Sequence, residues 1–341
     1  MKAFMDQLDV TILGDYLKDR IEGFRKLNAA KKFCDGQSNP TYLLSADSGQ
    51  YVLRRKPSGI LLKSAHAVDR EFRVIKSLQD SSVPVARAYH LCTDDSIIGS
   101  MFYVMSYEQG RIFWNPALPE SSKLERNQIY DEMNRVLAAL HDVNIQKAGL
   151  YDFGRPGNYF ARQVERWSKQ YRASETKNNP VMEKLMAWLP ANMPEDDNKV
   201  CLIHGDYRLD NLIFSASEGR VIAVLDWELS TLGHPYADLA YQCMQWRIRN
   251  DSTIRGLGGI DCPAFGIPSE EDYVAKYCQR RGLPDIQHWN FYMSFSFFRL
   301  IAILQGIQKR AMDGIASSQK ANEYGAFTQP LSDIAAKLIE D

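Results

Sequence analysis

The chain has 341 residues, of which 45% are hydrophobic and 24% charged. This is the composition of a soluble globular protein, which excludes a disordered or fibrous chain and leaves room for two lobes with substantial cores. Lysine and arginine number 41 against 42 aspartate and glutamate, a net charge of −1, so the broad positive field that nucleic acids or anionic membranes require is missing and neither is an expected partner.

In chain order, residues 6–24 carry Leu8, Leu13, Leu17, Ile21 and Phe24 at near-helical spacing, which predicts an amphipathic cap over residues 1–26. Residues 27–107 change to short apolar runs at 42–45, 51–55, 88–93 and 102–107, interrupted by one helical stretch at 65–78. Ser48-Gly49 marks the turn between the second and third strands and Val83-Pro84 closes the helix, giving a β-β-β-α-β-β lobe. Residues 108–120 contain Gly110, Pro116 and Pro119 without periodicity and predict a hinge.

Residues 121–341 then form a mostly helical lobe. Helices are expected at 124–143, 159–172, 235–246, 269–281, 288–307 and 318–339, with strands at 200–203, 211–214 and 220–225 after a polar stretch at 190–199. The apolar run 291–307 contains Arg299, Gln305 and two serines and falls short of the roughly 20 residues of a membrane span, so it predicts a core helix. The six cysteines lack any C-x-x-C pair and MKAFMDQLDV lacks an apolar h-region, so a reducing, cytoplasmic setting is expected. Oligomeric state has no sequence signal.

The strongest chemical signal is C-L-I-H-G-D-Y-R-L-D-N-L-I-F at 201–214. An apolar run ends in a loop carrying His204, Asp206, Arg208 and Asn211, and R-V-I-A-V-L-D-W-E at 220–228 again ends a strand in acids, Asp226 and Glu228. Adjacent strands are thereby expected to deliver Asp206, Asn211, Asp226 and Glu228 to one end of a small hairpin. Asn211 and Asp226 provide hard oxygen ligands suited to magnesium. Asp206 is placed to accept a proton from a hydroxyl and Arg208 to offset charge on a transferring phosphoryl group, a combination that points to phosphoryl transfer.

His204-Gly-Asp206-x-x-x-x-Asn211 followed by Leu-Asp226-Trp-Glu resembles the Brenner motif and metal-binding aspartate of the aminoglycoside phosphotransferase and choline kinase superfamily, relatives of protein kinases. The resemblance implies an α+β, protein-kinase-like two-lobe fold, with a small antiparallel-sheet N-lobe carrying one main helix and a larger, mostly helical C-lobe. It implies Asp206 as catalytic base, Asn211 and Asp226 as Mg²⁺ ligands, and ATP or GTP as donor, with Arg208 standing where a protein kinase has the lysine two residues past its catalytic aspartate. In the first lobe, F-C-D-G-Q-S-N-P-T-Y at 33–42 falls where the family covers the phosphates, with Gly36 for close approach and Ser38, Asn39 and Thr41 as donors. Arg54 stands in place of the usual lysine with Glu71 as its ion-pair partner; its planar fork is a departure from a lysine's point charge. Adenine is expected near Met105, with backbone groups of Ser106 and Glu108 as partners. G-Q-S-N-P-T-Y, Y-V-L-R-R-K-P and S-A-H-A-V-D-R-E together look like the kinase-like domains fused to, or encoded beside, acyl-CoA dehydrogenases, a branch thought to phosphorylate hydroxylated acyl groups.

Among plainer roles, His204 is expected to scaffold its loop and Asp238 to serve a helix N-terminus or tie that loop down; Glu228 fits a water-mediated metal contact and loop solvation equally. An aminoglycoside acceptor calls for an acidic groove, yet residues 243–341 hold 11 acidic and 11 basic side chains. Arg247, Arg249, Arg255 and Arg299 among apolar residues better suit an anionic acceptor such as a hydroxyacyl-CoA or hydroxy acid. Aminoglycoside or choline-type kinase activity and a catalytically inactive nucleotide-binding module are the alternatives. The absence of G-x-x-x-x-G-K-[ST] and G-x-G-x-x-G disfavours a P-loop NTPase and a nicotinamide dehydrogenase.

Overall fold

The computed structural model describes residues 8–33, 39–57, 67–251, 254–314 and 325–340. Its contacts form two compact units, Met1–Gly110 with Ile222–Glu228, and Arg111–Val221 with Leu229–Asp341.

The first unit begins with α1 (Val10–Lys18), capped by Asp9, whose carboxylate accepts the N–H groups of Thr11 at 2.9 Å and Ile12 at 3.0 Å. The helix is shorter than the predicted 6–24 pattern: Leu13 and Leu17 are buried from it, while Ile21 and Phe24 reach the same core from the turn beyond. An antiparallel sheet follows, β1 (Leu27–Lys32), β2 (Thr41–Ala46), β3 (Gly49–Arg55), β4 (Ala88–Cys92) and β5 (Phe102–Ser106), in the order β1-β2-β3-β5-β4. One helix, α2 (Val68–Leu78), interrupts it and buries Val68, Glu71, Phe72, Val74, Ile75 and Leu78. This is the β-β-β-α-β-β order expected, although residues 65 and 66 of the predicted helix lie outside the described residues.

Register gives this sheet its functional face. Arg54 on β3 stands opposite Tyr103 on β5, and directly opposed residues point to the same side of a sheet.

The second unit is mostly helical: α3 (Lys123–His141), α4 (Tyr159–Ser174), α5 (Pro180–Ala191), α6 (Pro235–Cys243), α7 (Cys262–Phe265), α8 (Glu270–Arg281), α9 (Trp289–Met312) and α10 (Thr328–Glu340). Helix α9 is buried almost continuously from Phe291 to Gly306, so the apolar run that is too short for a span is the central core helix. Among the described residues no helix is long and apolar enough to cross a membrane.

Three features depart from expectation. Helix α5 lies outside the predicted helices; its Pro180 sits in the first turn, where no N–H is needed, behind an Asn179 cap. Strand β6 (Cys201–Ile203) pairs antiparallel with an unpredicted strand, β9 (Thr231–Gly233), with Cys201 opposite Gly233 and Ile203 opposite Thr231. The third is at Asn211, which ends a 3₁₀ turn (Leu209–Asn211) ahead of β7 (Leu212–Phe214) instead of starting a strand.

Candidate active site

In the first unit the chemistry centres on Arg54. Its Nη2 donates to Asp226 Oδ1 at 2.6 Å, its Nε lies 2.9 Å from Glu71 Oε2, and Glu228 Oε2 is 3.8 Å from Nη2. Burial works against the guanidinium's charge, but Glu71, Tyr103, Asp226 and Glu228 outweigh it and hold the group above the ordinary arginine range. Glu71, 1% exposed, also accepts from Asn39 Nδ2 at 2.7 Å and Tyr103 Oη at 3.1 Å. Its own carboxyl is pushed up by burial against the pull of Arg54. Asp226 follows β8 (Val221–Val224) with φ at +62°, in the left-handed region that a non-glycine residue adopts only where its surroundings impose it.

Several expected nucleotide contacts are thereby redefined. Asn39 points its amide at Glu71, and the Thr41 hydroxyl donates to the Asn39 carbonyl at 3.0 Å, so both brace the ion-pair network where phosphate donors were anticipated. Gly36 and Ser38 lie outside the described residues. Met105 is nearly buried in β5. The Ser106 N–H is bonded to the Arg87 carbonyl at 2.9 Å, which removes it as a donor to adenine, while its hydroxyl accepts from Arg87 N at 2.8 Å and donates to the Glu108 carboxylate.

In the second unit the loop 204–211 is fixed by buried charge. Asp238 on α6, with no exposed surface, accepts the His204 N–H at 2.6 Å through Oδ2 and the Gly205 N–H at 2.8 Å through Oδ1; His141 Nε2 lies 3.4 Å from Oδ2. Burial opposes the Asp238 charge, yet His141 and His204 hold its carboxyl below the usual range. Arg299 on α9 donates to the Gly205 carbonyl at 2.5 Å, its guanidinium lying over the rings of Tyr241 and Trp167. Gly205 is needed here for two reasons: φ is +85°, and a Cβ would stand 2.6 Å from the Leu229 carbonyl oxygen.

This loop brings four of the expected residues together. Asn211 Nδ2 donates to the Asp206 carbonyl at 2.9 Å and to Asp206 Oδ2 at 3.1 Å. His204 Nδ1 accepts the Asp206 N–H at 3.2 Å, the scaffolding role expected of it. Arg208 grips Asp210 and lies 4.0 Å from Asp206 Oδ1. Its side chain is about half exposed, and the Asp206 and Asp210 carboxylates raise its pKa. Arg208 is thus already neutralised in part by a neighbour that spacing alone did not reveal.

Of the four arginines considered for an anionic acceptor, Arg247 is bound by Glu270 through two 2.9 Å bonds and Arg249 by Asp251, while Arg299 holds the loop. Arg255 is exposed.

Each unit holds one hard oxygen donor of the kind magnesium takes. With Asn211 Nδ2 turned to Asp206 and Asp226 Oδ1 on Arg54, the Asn211 amide oxygen and Asp226 Oδ2 are hard oxygen donors not used in those bonds. Among the described residues no cluster of three or more His, Cys, Asp or Glu side chains converges as an all-protein metal cage; a cation held largely by phosphate oxygens does not need one.

His234, the cap of α6, accepts the Tyr236 N–H through Nδ1 and pairs with Asp197 through Nε2 at 3.2 Å. Burial pushes its pKa down to about 4 despite Asp197. The neutral ring is therefore favoured on folding, and stability is lost as pH falls from about 6.5 towards 4, by up to ~3 kcal/mol. Thermal unfolding between pH 7.5 and 4.5 should show a shallower acid slope in His234→Asn, which keeps a capping oxygen; burial lowers His141 too, so part of the slope remains. An unchanged slope would refute the assignment to His234.

Residues 29–268 match the profile of the phosphotransferase enzyme family, APH. The chain belongs to this family. It is 49% identical over 305 residues to acyl-CoA dehydrogenase family member 10 of Mus musculus, a match covering 89% of this chain and 28% of that protein. To family member 11 of Rattus norvegicus it is 42% identical over 337 residues, 97% of this chain and 43% of that protein. The chain thus spans less than half the length of these relatives. Among solved structures, a candidate aminoglycoside phosphotransferase from Ralstonia eutropha is 47% identical, with a TM-score of 0.90 over 98% of this chain and 99% of that one. A thermostable variant of the aminoglycoside phosphotransferase APH(4)-Ia, bound to ADP and hygromycin B, shares the family's kinase-like fold at 12% identity and a TM-score of 0.63, over 96% of this chain and 98% of that one.

Proposed function

We propose that the chain is an ATP- or GTP-dependent small-molecule kinase that moves the γ-phosphoryl group to an alcohol on an acyl chain, as a hydroxyacyl-CoA or hydroxy acid. The observation that carries this is the loop in which the Asp206 carboxylate faces Asn211 at 3.1 Å while Asp238 fixes the preceding backbone. Rigid placement of a carboxylate on a charge-braced loop is what a positioned base requires. Asp206 accepts the proton of the acceptor hydroxyl as its oxygen bonds to the γ-phosphorus and the bond to the bridging oxygen of the leaving diphosphate breaks. Asn211 and Asp226 would hold magnesium through oxygen, and the ion would supply charge screening for the phosphates. Arg208 contributes positive charge tempered by Asp210. By the family resemblance Gly36 and Ser38 would contact the phosphates, and Met105 would flank adenine beside the Ser106 carbonyl and backbone groups of Glu108.

The acceptor class rests on the relatives named as acyl-CoA dehydrogenases, each of which carries a segment matching most of this chain within a longer polypeptide. The equal 11 acidic and 11 basic residues of 243–341 suit a polycationic antibiotic poorly. A cytoplasmic setting accords with the buried free cysteines Cys92, Cys201, Cys243, Cys262 and Cys278. Saturating Mg·ATP or Mg·GTP, at about 100 times its Kd, should stabilise the protein by ~2.7 kcal/mol in thermal unfolding. No shift with either nucleotide would contradict the reading.

A further inference from the structure

The position that a kinase fills with lysine is filled here by a guanidinium that hydrogen-bonds one carboxylate and ion-pairs with a second. Arg54 sits on β3, directly opposite Tyr103 and Thr41 in the sheet register. One end of its fork, Nε, is 2.9 Å from Glu71 Oε2; the other, Nη2, is 2.6 Å from Asp226 Oδ1. Glu71 is itself held by Asn39 and Tyr103, so the anchor end is fixed by three groups. Asp226 has the opposite character: its backbone lies in the left-handed region at φ +62°, and among the described residues its carboxylate receives one hydrogen bond, from Arg54. A lysine presents its donors from a single nitrogen and cannot span both carboxylates as a guanidinium does.

We infer that Arg54 is a positioning residue for Asp226: anchored on Glu71, it holds Oδ1 and leaves Oδ2 presented to a divalent cation, and thereby sets how strongly that cation couples to nucleotide binding. The inference rests on the kinase reading above but assigns Arg54 a different task from contacting phosphate. Three carboxylates, Glu71, Asp226 and Glu228, surround one guanidinium, so the cluster keeps a net negative charge that attracts a cation even with Arg54 in place. Partners that orient a metal ligand in this way change metal affinity by about 10–100-fold when removed.

The test is calorimetric titration of ADP into wild type, Arg54→Lys, Glu71→Gln and the double variant over a series of Mg²⁺ concentrations, with apo thermal midpoints recorded. Arg54→Lys should raise the half-saturating Mg²⁺ concentration about tenfold, with metal-free ADP affinity changed less than about twofold. Glu71→Gln removes the anchor without touching either donor and should move Mg²⁺ dependence in the same direction, and the double variant should be no worse than the more impaired single one.

A loss of ADP affinity in Arg54→Lys that is equal with and without Mg²⁺ means a phosphate contact and overturns the inference. So does a fall in half-saturating Mg²⁺, which would make Arg54 a competitor of the ion. If Arg54→Lys does not fold, an unchanged Mg²⁺ dependence in Glu71→Gln overturns it alone. Absence of any Mg²⁺-dependent ADP binding in wild type is a separate result, which removes the kinase reading and this inference with it.

Discussion

Asp206→Asn should lower phosphoryl transfer by about 10²–10⁴-fold, the range for loss of a positioned general base, while nucleotide affinity stays within about twofold. The substitution is isosteric, and asparagine can still present an oxygen to Asn211 Nδ2, which now lies 3.1 Å from Asp206 Oδ2. Arg208 keeps its grip on Asp210, so the loop retains its main local pair. The thermal midpoint should consequently be almost unmoved. Single-turnover rates together with nucleotide binding separate the cases: equal turnover removes Asp206 from the chemistry, and a parallel loss of nucleotide affinity makes it a binding residue.

Asp238→Ala should have the largest effect on stability. The carboxylate is fully buried and accepts two backbone N–H groups, from His204 and Gly205, beside the His141 ring. Truncation leaves those donors buried without their acceptor, a loss of ~3–5 kcal/mol. That corresponds to a fall in thermal midpoint on the order of 10 °C for a domain of this size. Turnover should fall with it, because the same bonds aim Asp206. Asp238→Asn keeps the shape but offers an N–H group to one of those donors, so it should lie between wild type and Asp238→Ala. A wild-type midpoint and rate in Asp238→Asn would show that the loop does not depend on this charge.

Much of this site was legible because its residues are close in sequence. His204, Asp206, Asn211 and Asp226 form a pattern with fixed spacing, and the order of strands about α2 follows from turn residues and apolar periodicity. The braces were less legible. Tyr103 and Asn39 become partners of Glu71 only through strand register and the fold of the chain across 32 residues in each direction, and Arg299 reaches Gly205 across 94 residues. Nothing local to an arginine in an apolar helix says whether it faces a substrate or a backbone carbonyl. Asp210 was passed over for the opposite reason: a charge two residues from Arg208 reads as ordinary loop solvation until the pair is seen closed.

Helix α5 shows the same limit for the backbone. Pro180 and Pro190 argue for a break when counted as residues, yet one occupies the first turn and the other the last, where the missing N–H of Pro180 costs nothing and Asn179 supplies the cap. For β6, the partner strand Thr231–Gly233 is only three residues long, too short to carry a period-two signal of its own.

The most direct test is transfer from Mg·ATP to a hydroxyacyl-CoA, followed by phosphorus NMR of the products, with free hydroxy acids, choline and an aminoglycoside run in parallel. The expected result is a new phosphate monoester on the hydroxyacyl substrate, formed by wild type and lost in Asp206→Asn. Nucleotide binding with no phosphate ester on any acceptor would contradict it.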